Sequence, residues 1–269
     1  MFIDTHCHLD AAEFNGRQEA IVREARVAGV ASLVLPAIER ADFATVQGLC
    51  MQYPGCVPAY GLHPMYVDRA SPADLDVLRG YLAQSGAVAV GEIGLDFFVA
   101  GYDREKQEFY FSEQLKLARE FDLPVLLHIC RAQDIVLKHL RLHPVCGGIA
   151  HAFNGSAQQA AEFIKLGFRL GFGGAMTYSR ATRLRKLAAT LPLESIVLET
   201  DAPDIPPDFL ERGQPNKPEY LPQIAQTLAE LRGVTVEEIA RVTTENAFSV
   251  LPKINPLTTE AQRHRENPS

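Results

Sequence analysis

His6 and His8 follow the apolar, strand-favouring start Met1-Phe-Ile-Asp-Thr. Alternate residues of a strand share a face, so the two imidazoles would point the same way, about 6.6 Å apart at ~3.3 Å per residue. From that spacing two nitrogens can converge on one metal ion at ~2.1 Å each. A His-x-His pair alone is as compatible with one solvated and one core histidine, so the question is whether other ligands join it. Glu92 ends the run Ala-Val-Gly-Glu, His128 ends Leu-Pro-Val-Leu-Leu-His, His151 ends Gly-Gly-Ile-Ala-His, and Asp201 follows Ile-Val-Leu-Glu-Thr. An ionisable group at the end of a buried run is costly unless it has a partner. Four imidazoles and two carboxylates meeting in one place suit two divalent metals. The expected division gives His6, His8 and Asp201 one metal and His128 and His151 the other, with Glu92 bridging through its two oxygens.

Those residues must be positioned by a frame that brings strand ends together. Short apolar runs at 2–7, 32–36, 57–62, 88–93, 125–129, 147–152, 169–172 and 196–200 alternate with helical patterns at 18–28, 41–51, 72–84, 104–121, 134–143, 158–166 and 180–191. Two further helices are expected at 221–232 and 236–251. Continuous apolar strands, each followed by a helix, imply a parallel sheet covered by helices. Eight such units in about 250 residues fit a (β/α)8 TIM barrel, in which active groups gather at the carboxyl ends of the strands. An open doubly-wound sheet would carry a Gly-rich phosphate turn after its first strand, and His6-x-His8 stands there instead. The expected organisation is one barrel domain over 1–251 and a polar, poorly ordered tail over 252–269. The Pro- and Gly-containing stretch 203–218 is a long loop after the last strand.

The 269 residues are 47% hydrophobic and 22% charged, enough for one large core. With 33 acids against 26 bases the net charge is -7, which argues against a protein held to nucleic acid mainly by phosphate neutralisation. It leaves room for an enzyme that grips a phosphodiester through metals. Five cysteines without a C-x-x-C suit reduced thiols. Neither a secretory signal nor a run of ~20 apolar residues is present, so a cytoplasmic protein with no membrane association is expected.

The motifs Phe-Ile-Asp-Thr-His-Cys-His, Gly-Leu-His-Pro at 61–64, Val-Gly-Glu-Ile-Gly-Leu-Asp at 90–96, Leu-Pro-Val-Leu-Leu-His at 123–128, His-Ala-Phe-Asn-Gly-Ser at 151–156 and Leu-Glu-Thr-Asp-Ala-Pro at 198–203 resemble the TatD-type metal-dependent deoxyribonucleases, within the amidohydrolase-like barrels. The resemblance runs from residue 2 to about residue 251. It implies a metal-dependent 3′–5′ exonuclease acting on DNA, with RNA as an alternative substrate, Mg or Mn in use and Zn often bound. It puts metal ligands on His6, His8, Glu92, His128, His151 and Asp201, and marks His63 as a substrate contact. Related binuclear barrels often bridge their metals with a modified lysine. The first lysine here is Lys106, well past strand 4, which leaves the bridge to Glu92. The chain departs from the family pattern after strand 5. Many members have Arg two residues beyond the histidine, whereas here Cys130 stands there and Arg131 comes next. A one-residue shift would turn Arg131 away from the pocket, and Cys130 reads as a small buried hydrophobe.

Other residues have smaller expected parts. Glu199 shares a face with Asp201 and would orient a ligand, with a strand-ending salt bridge as the alternative. Asp96 would either hydrogen-bond near the bridge or cap a turn. Asp4 and Asp10 read as structural, Phe97 and Phe98 as barrel-top packing with base stacking as the alternative, and His139 and His143 as surface residues. Asn216, in the loop after strand 8, is a candidate substrate contact, with turn chemistry as the alternative. Asp201 is the expected general base. Three functions fit: hydrolysis of a polynucleotide at its 3′ end by two-metal activation of water, with no stable protein partner and a monomeric chain; hydrolysis of a small ester, lactone, amide or phosphoester by the same groups; or a binding barrel with closed structural metals.

Overall fold

The computed structural model describes residues 1–84 and 86–254. Eight parallel strands form one sheet in chain order: β1 (Phe2–Asp4), β2 (Val30–Pro36), β3 (Cys56–Tyr60), β4 (Ala89–Asp96), β5 (Val125–Cys130), β6 (Gly148–Ala150), β7 (Phe168–Phe172) and β8 (Ile196–Leu198). Seven helices alternate with them: α1 (Gln18–Val27), α2 (Phe43–Gln52), α3 (Pro72–Ala83), α4 (Arg104–Glu120), α5 (Gln133–Leu142), α6 (Ala157–Lys165) and α7 (Thr182–Thr190). After β8 come α8 (Leu221–Arg232) and α9 (Val236–Val250). Local chemistry sets several starts. Ser71 and Ser156 form capping boxes with Asp74 and Gln159, and the Asp103 side chain accepts from Lys106 N.

This is the (β/α)8 barrel that the alternating pattern implies. Its floor is one layer of inward residues, Ile3, Val34, Ala59, Ala89, Leu126, Ile149 and Val197, capped from below by Ala247, Val250 and Leu251 of α9 and its C-terminal end. Ile254, in a 3-10 turn over Pro252–Ile254, packs with them, so at least this start of the expected tail is ordered. The rest of the tail lies outside the described residues. Larger apolar side chains from the helices and outer strand faces form a second, surrounding core.

The barrel closes through the segments that carry the site. Thr5 N donates to Leu198 O at 3.1 Å, Asp201 N to His6 O at 2.8 Å and His8 N to Ala202 O at 2.8 Å. Asp4 clasps the same seam. Its carboxylate accepts from Thr200 N at 2.9 Å and from Thr200 Oγ1 at 2.6 Å. Closure therefore costs the terminal strands their regular ladders. β1 ends at Asp4, three residues short of the expected limit, and β8 ends at Leu198. β4 departs the other way and runs on to Asp96, so Glu92 lies inside a strand rather than at its end. Among the described residues no helix is long and apolar enough to cross a membrane.

Candidate metal centre

Glu92 is 2% exposed and is surrounded by imidazoles at the carboxyl end of the barrel. Its two oxygens divide them. Oε2 lies 3.2 Å from His6 Nε2 and 3.7 Å from His8 Nε2. Oε1 lies 3.1 Å from His128 Nδ1, 3.4 Å from His63 Nε2 and 3.5 Å from His151 Nε2. Asp201 Oδ1 completes the first side at 3.6 Å from both His6 Nε2 and His8 Nε2. The six expected ligands, drawn from both ends of the barrel's chain, thus meet at one rim. The His6 and His8 nitrogens approach each other to 3.2 Å, because the chain bends out of its strand after Asp4.

Second carboxylates orient two of these rings. His128 Nε2 lies 3.0 Å from Asp96 Oδ2, which leaves Nδ1 and its lone pair toward Glu92. His151 Nδ1 lies 3.2 Å from Glu199 Oε1, though not aligned as a hydrogen bond, which leaves Nε2 toward Glu92. This carboxylate–imidazole pairing is the usual way a protein aims a metal-binding histidine. Asp96 meets both of its expected parts, since its Oδ1 also accepts from Phe98 N at 2.8 Å. Glu199 accepts from Ala152 N at 2.5 Å and leaves Oε2 buried without a hydrogen-bond partner.

His63 differs from the others. Its Nδ1 accepts from Met65 N at 3.2 Å. Burial, against the pull of Glu92, lowers its pKa, so the ring is neutral at pH 7 and its proton sits on Nε2. His63, Glu92 and His128 do come within ligand distance of one another, yet a protonated Nε2 is a donor and offers no lone pair. His63 is therefore placed to donate to an oxygen at the centre rather than to hold a cation.

The charges show what the centre lacks. Burial alone would raise the Glu92 pKa, but His6, His63, His128 and His151 hold it well below the ordinary carboxylate range. Burial would likewise lower His128, but Asp96 and Glu92 raise it to about 9. His151 is raised to about 10 by Asp201, Glu199 and Glu92 against its own burial. Among the described residues no lysine or arginine pairs with Glu92 or Asp201. Buried acids and lone-pair nitrogens with no fixed cation fit divalent ions. Two tight groups match that need: His6, His8 and Asp201, and His6, Glu92 and His151. The expected trio of His128, His151 and Glu92 shares Oε1, but the His128 and His151 rings are 6.1 Å apart and their nitrogens do not form such a tight group.

The centre opens into a cavity of about 960 Å³. Several expectations change there. Phe98 does not pack the barrel top; it is 58% exposed and lines the cavity. Arg131 does not turn away. The chain takes a left-handed turn at that residue (φ 53°), and its guanidinium lies 4.4 Å over the Phe98 ring at the cavity wall. Cys130 also lines the wall, and burial raises its thiol pKa. Asn216 is fully buried and does not line the cavity. Its amide donates to Thr200 O at 2.7 Å and to Asp204 O and Ile205 O at 3.2 Å, so the loop's own carbonyls occupy the groups that a substrate would need. His139 is buried on the outer ring between Ser112 and Glu108, not at the surface. Arg183 lines the cavity and bonds Asn154, a place that the sequence does not announce: one arginine among the four basic residues of 180–186 carries no distinguishing signal.

Comparison with known proteins gives the family and the fold. The family model of TatD related DNases matches residues 3–252. The metal-dependent hydrolase YjjV of Escherichia coli K12 is 43% identical over 252 residues, covering 93% of this chain and 97% of YjjV. A Mus musculus protein, TATDN3, provisionally named a deoxyribonuclease, is 34% identical and covers 97% of this chain and 92% of its own. The crystal structure of Escherichia coli YjjV superposes with a TM-score of 0.90 at 42% identity, covering 93% of this chain and 98% of that one. An Entamoeba histolytica TatD-family hydrolase, at 19% identity and TM-score 0.83, shares the fold.

Proposed function

The chain belongs to the TatD-related DNase family and is a metal-dependent hydrolase, and from that premise we propose that it removes nucleotides from the 3′ end of DNA, using two divalent cations. One observation carries the proposal: five imidazoles surround Glu92, two of them also face Asp201, and among the described residues no lysine or arginine pairs with either acid, at the floor of an open cavity. A substrate whose reacting group is itself an anion needs that concentration of divalent charge.

His6, His8 and Asp201 would hold one cation, and Glu92 and His151 the other, with His128 beside it at 3.1 Å from Glu92 Oε1. When bound, the pair supplies charge to the scissile phosphate and lowers the pKa of a water. Asp201 is the proton acceptor of this reading. Its side chain is partly open to the cavity, and it sits in a left-handed turn (φ 58°) fixed by its own N–H to His6 O. The Nε2 proton of His63 is placed to donate to a phosphate oxygen. Asp96 and Glu199 hold the rings that surround Glu92. An exonuclease needs access to an end more than sequence readout, so the acidic net charge is compatible with this role. The chain is read as acting alone, as a monomer.

With Mn or Mg, the wild type is expected to shorten 3′-labelled single-stranded DNA. Asp201→Asn is expected to lose about 10²–10⁴-fold of that rate while keeping more than one metal per chain by elemental analysis. DNA left intact, with turnover of small esters or lactones, would replace the nuclease reading with a small-substrate hydrolase.

A further inference from the structure

The mouth of the cavity has two chemically different sides, and the strand order separates them. The loops after β4, β5, β6 and β7 occupy one continuous arc because those strands are neighbours. That arc carries Phe98 after β4, Arg131 after β5, Asn154 after β6 and Arg183 at the start of α7, and all four line the cavity. Arg131 and Phe98 form a stacked unit at 4.4 Å. Arg183 is aimed rather than free: its Nη2 donates to Asn154 O at 3.1 Å and to Asn154 Oδ1 at 2.6 Å. The opposite arc, after β1 and β8, carries Asp10, Glu13 and Asp204, which line the same cavity. Among the described residues no lysine lines it, and its two arginines both lie on the first arc.

We infer that this arginine-bearing arc is the track for the departing strand: Arg131 and Arg183 hold the phosphate next to the scissile one, and Phe98 stacks the base beside it. The inference rests on the nuclease reading and names the residues that hold the polynucleotide beyond its scissile bond. A guanidinium fork matches a phosphate's oxygens and an aromatic face accepts any base, so the track is indifferent to sequence. A polyanion cannot leave over Asp10, Glu13 and Asp204 without repulsion.

The test compares two probes on the metal-loaded enzyme. One is a 5′-labelled thymidine oligonucleotide of about eight residues, within the ~4–16 nucleotides that single-strand sites span, which has neighbouring phosphates and bases. The other is bis(p-nitrophenyl) phosphate, which has the diester alone. Arg131→Ala and Arg183→Ala are each expected to lower the ratio of kcat/KM for oligonucleotide over ester about tenfold, the loss of one charge-assisted contact. Each should also take about 0.7 off the slope of log kcat/KM against log salt, the share of one phosphate contact on a single strand. Phe98→Ala should lower the ratio by a similar factor with the slope intact. Arg141→Ala, an outer-ring cation paired with Glu162, should match the wild type. Ester turnover by each variant shows that it is folded. A double Arg131→Ala/Arg183→Ala variant with wild-type ratio and slope overturns the track and leaves the nuclease reading standing. A wild type that turns over the ester but no oligonucleotide overturns the nuclease reading, and the track with it.

Discussion

Glu199 lies directly against Gly171, and a methyl group on that glycine would fall 2.2 Å from Glu199 Oε2. The close approach is what lets a fully buried carboxylate stand behind His151. β7 has given up a side chain at this position so that the segment after β8 can present an acid beside the metal centre. Gly171→Ala is therefore expected to push Glu199 away and free the His151 ring, weakening metal affinity about 10–100-fold in isothermal titration. Gly80, on α3, has open space where a methyl group would stand, with nothing within 4 Å, so Gly80→Ala should leave metal affinity at the wild-type value. Equal affinity in both variants would remove Glu199 from the site's support.

The raised pKa values of His128 and His151, about 9 and about 10, make metal uptake a proton-releasing event. Both rings are charged at pH 7 in the metal-free protein and must be neutral to ligate. Affinity should rise with pH toward about 9–10, and titration calorimetry at about pH 7 in buffers of different ionisation heat should show about two protons released per loaded site. Stability runs the other way. A histidine whose folded pKa exceeds its unfolded value of about 6.5 stabilises fully below about pH 6.5, and this is lost as pH rises through the folded pKa. The metal-free protein should therefore lose Tm between about pH 7 and 10, with the loss reduced once metal is bound. A calorimetric signal independent of buffer would contradict this account.

A separate window belongs to Asp4. Burial, only partly offset by its bonds to Thr200 and His6, raises its pKa to about 7. Between about pH 4 and 7 the folded state keeps a proton that the unfolded chain gives up, so stability falls as pH rises across that range. A shift of this size corresponds to roughly 4 kcal/mol at ~1.36 kcal/mol per pH unit. Asp4→Asn retains an acceptor for Thr200 N and a group that can pair with Thr200 Oγ1, so denaturant midpoints of the metal-free variant should be flatter from about pH 4 to 7. A slope equal to that of the wild type would assign the pH dependence to other groups.

The barrel and the ligand set are legible in the sequence because both rest on local pattern. Buried parallel strands read as apolar runs, and Glu92, His128, His151 and Asp201 interrupt those runs where the barrel places its chemistry. What depends on the path of the backbone is not legible. The outward bend after Asp4 that brings the His6 and His8 nitrogens to 3.2 Å replaces the separation of a straight strand. The left-handed turn at Arg131 overrides strand alternation, which would turn that residue away. Phe98 is apolar and reads as core, yet a cation rather than a core residue covers its ring. The proton position on His63 follows from one backbone N–H, that of Met65, which no spacing announces.

Asn216 separates bracing from contact, the distinction that its loop position leaves open. Its amide holds Thr200 O, Asp204 O and Ile205 O, and its Oδ1 accepts from Lys217 N at 2.9 Å. These bonds pin the turn that carries Asp201 on both sides, since Asp204 N also donates to Asp201 O at 2.7 Å. Asn216→Ala leaves buried carbonyls without donors, which costs roughly 1–3 kcal/mol of stability. It should lower kcat through displacement of Asp201, with KM for DNA little changed. A substrate contact would behave in the opposite way, with KM raised and stability kept. Asn216→Asp sharpens the comparison, because it preserves shape but replaces the donating amide with an acceptor facing three carbonyls. If that variant is as stable as the wild type and fails only in DNA affinity, the side chain reaches the substrate, and the bracing role is wrong.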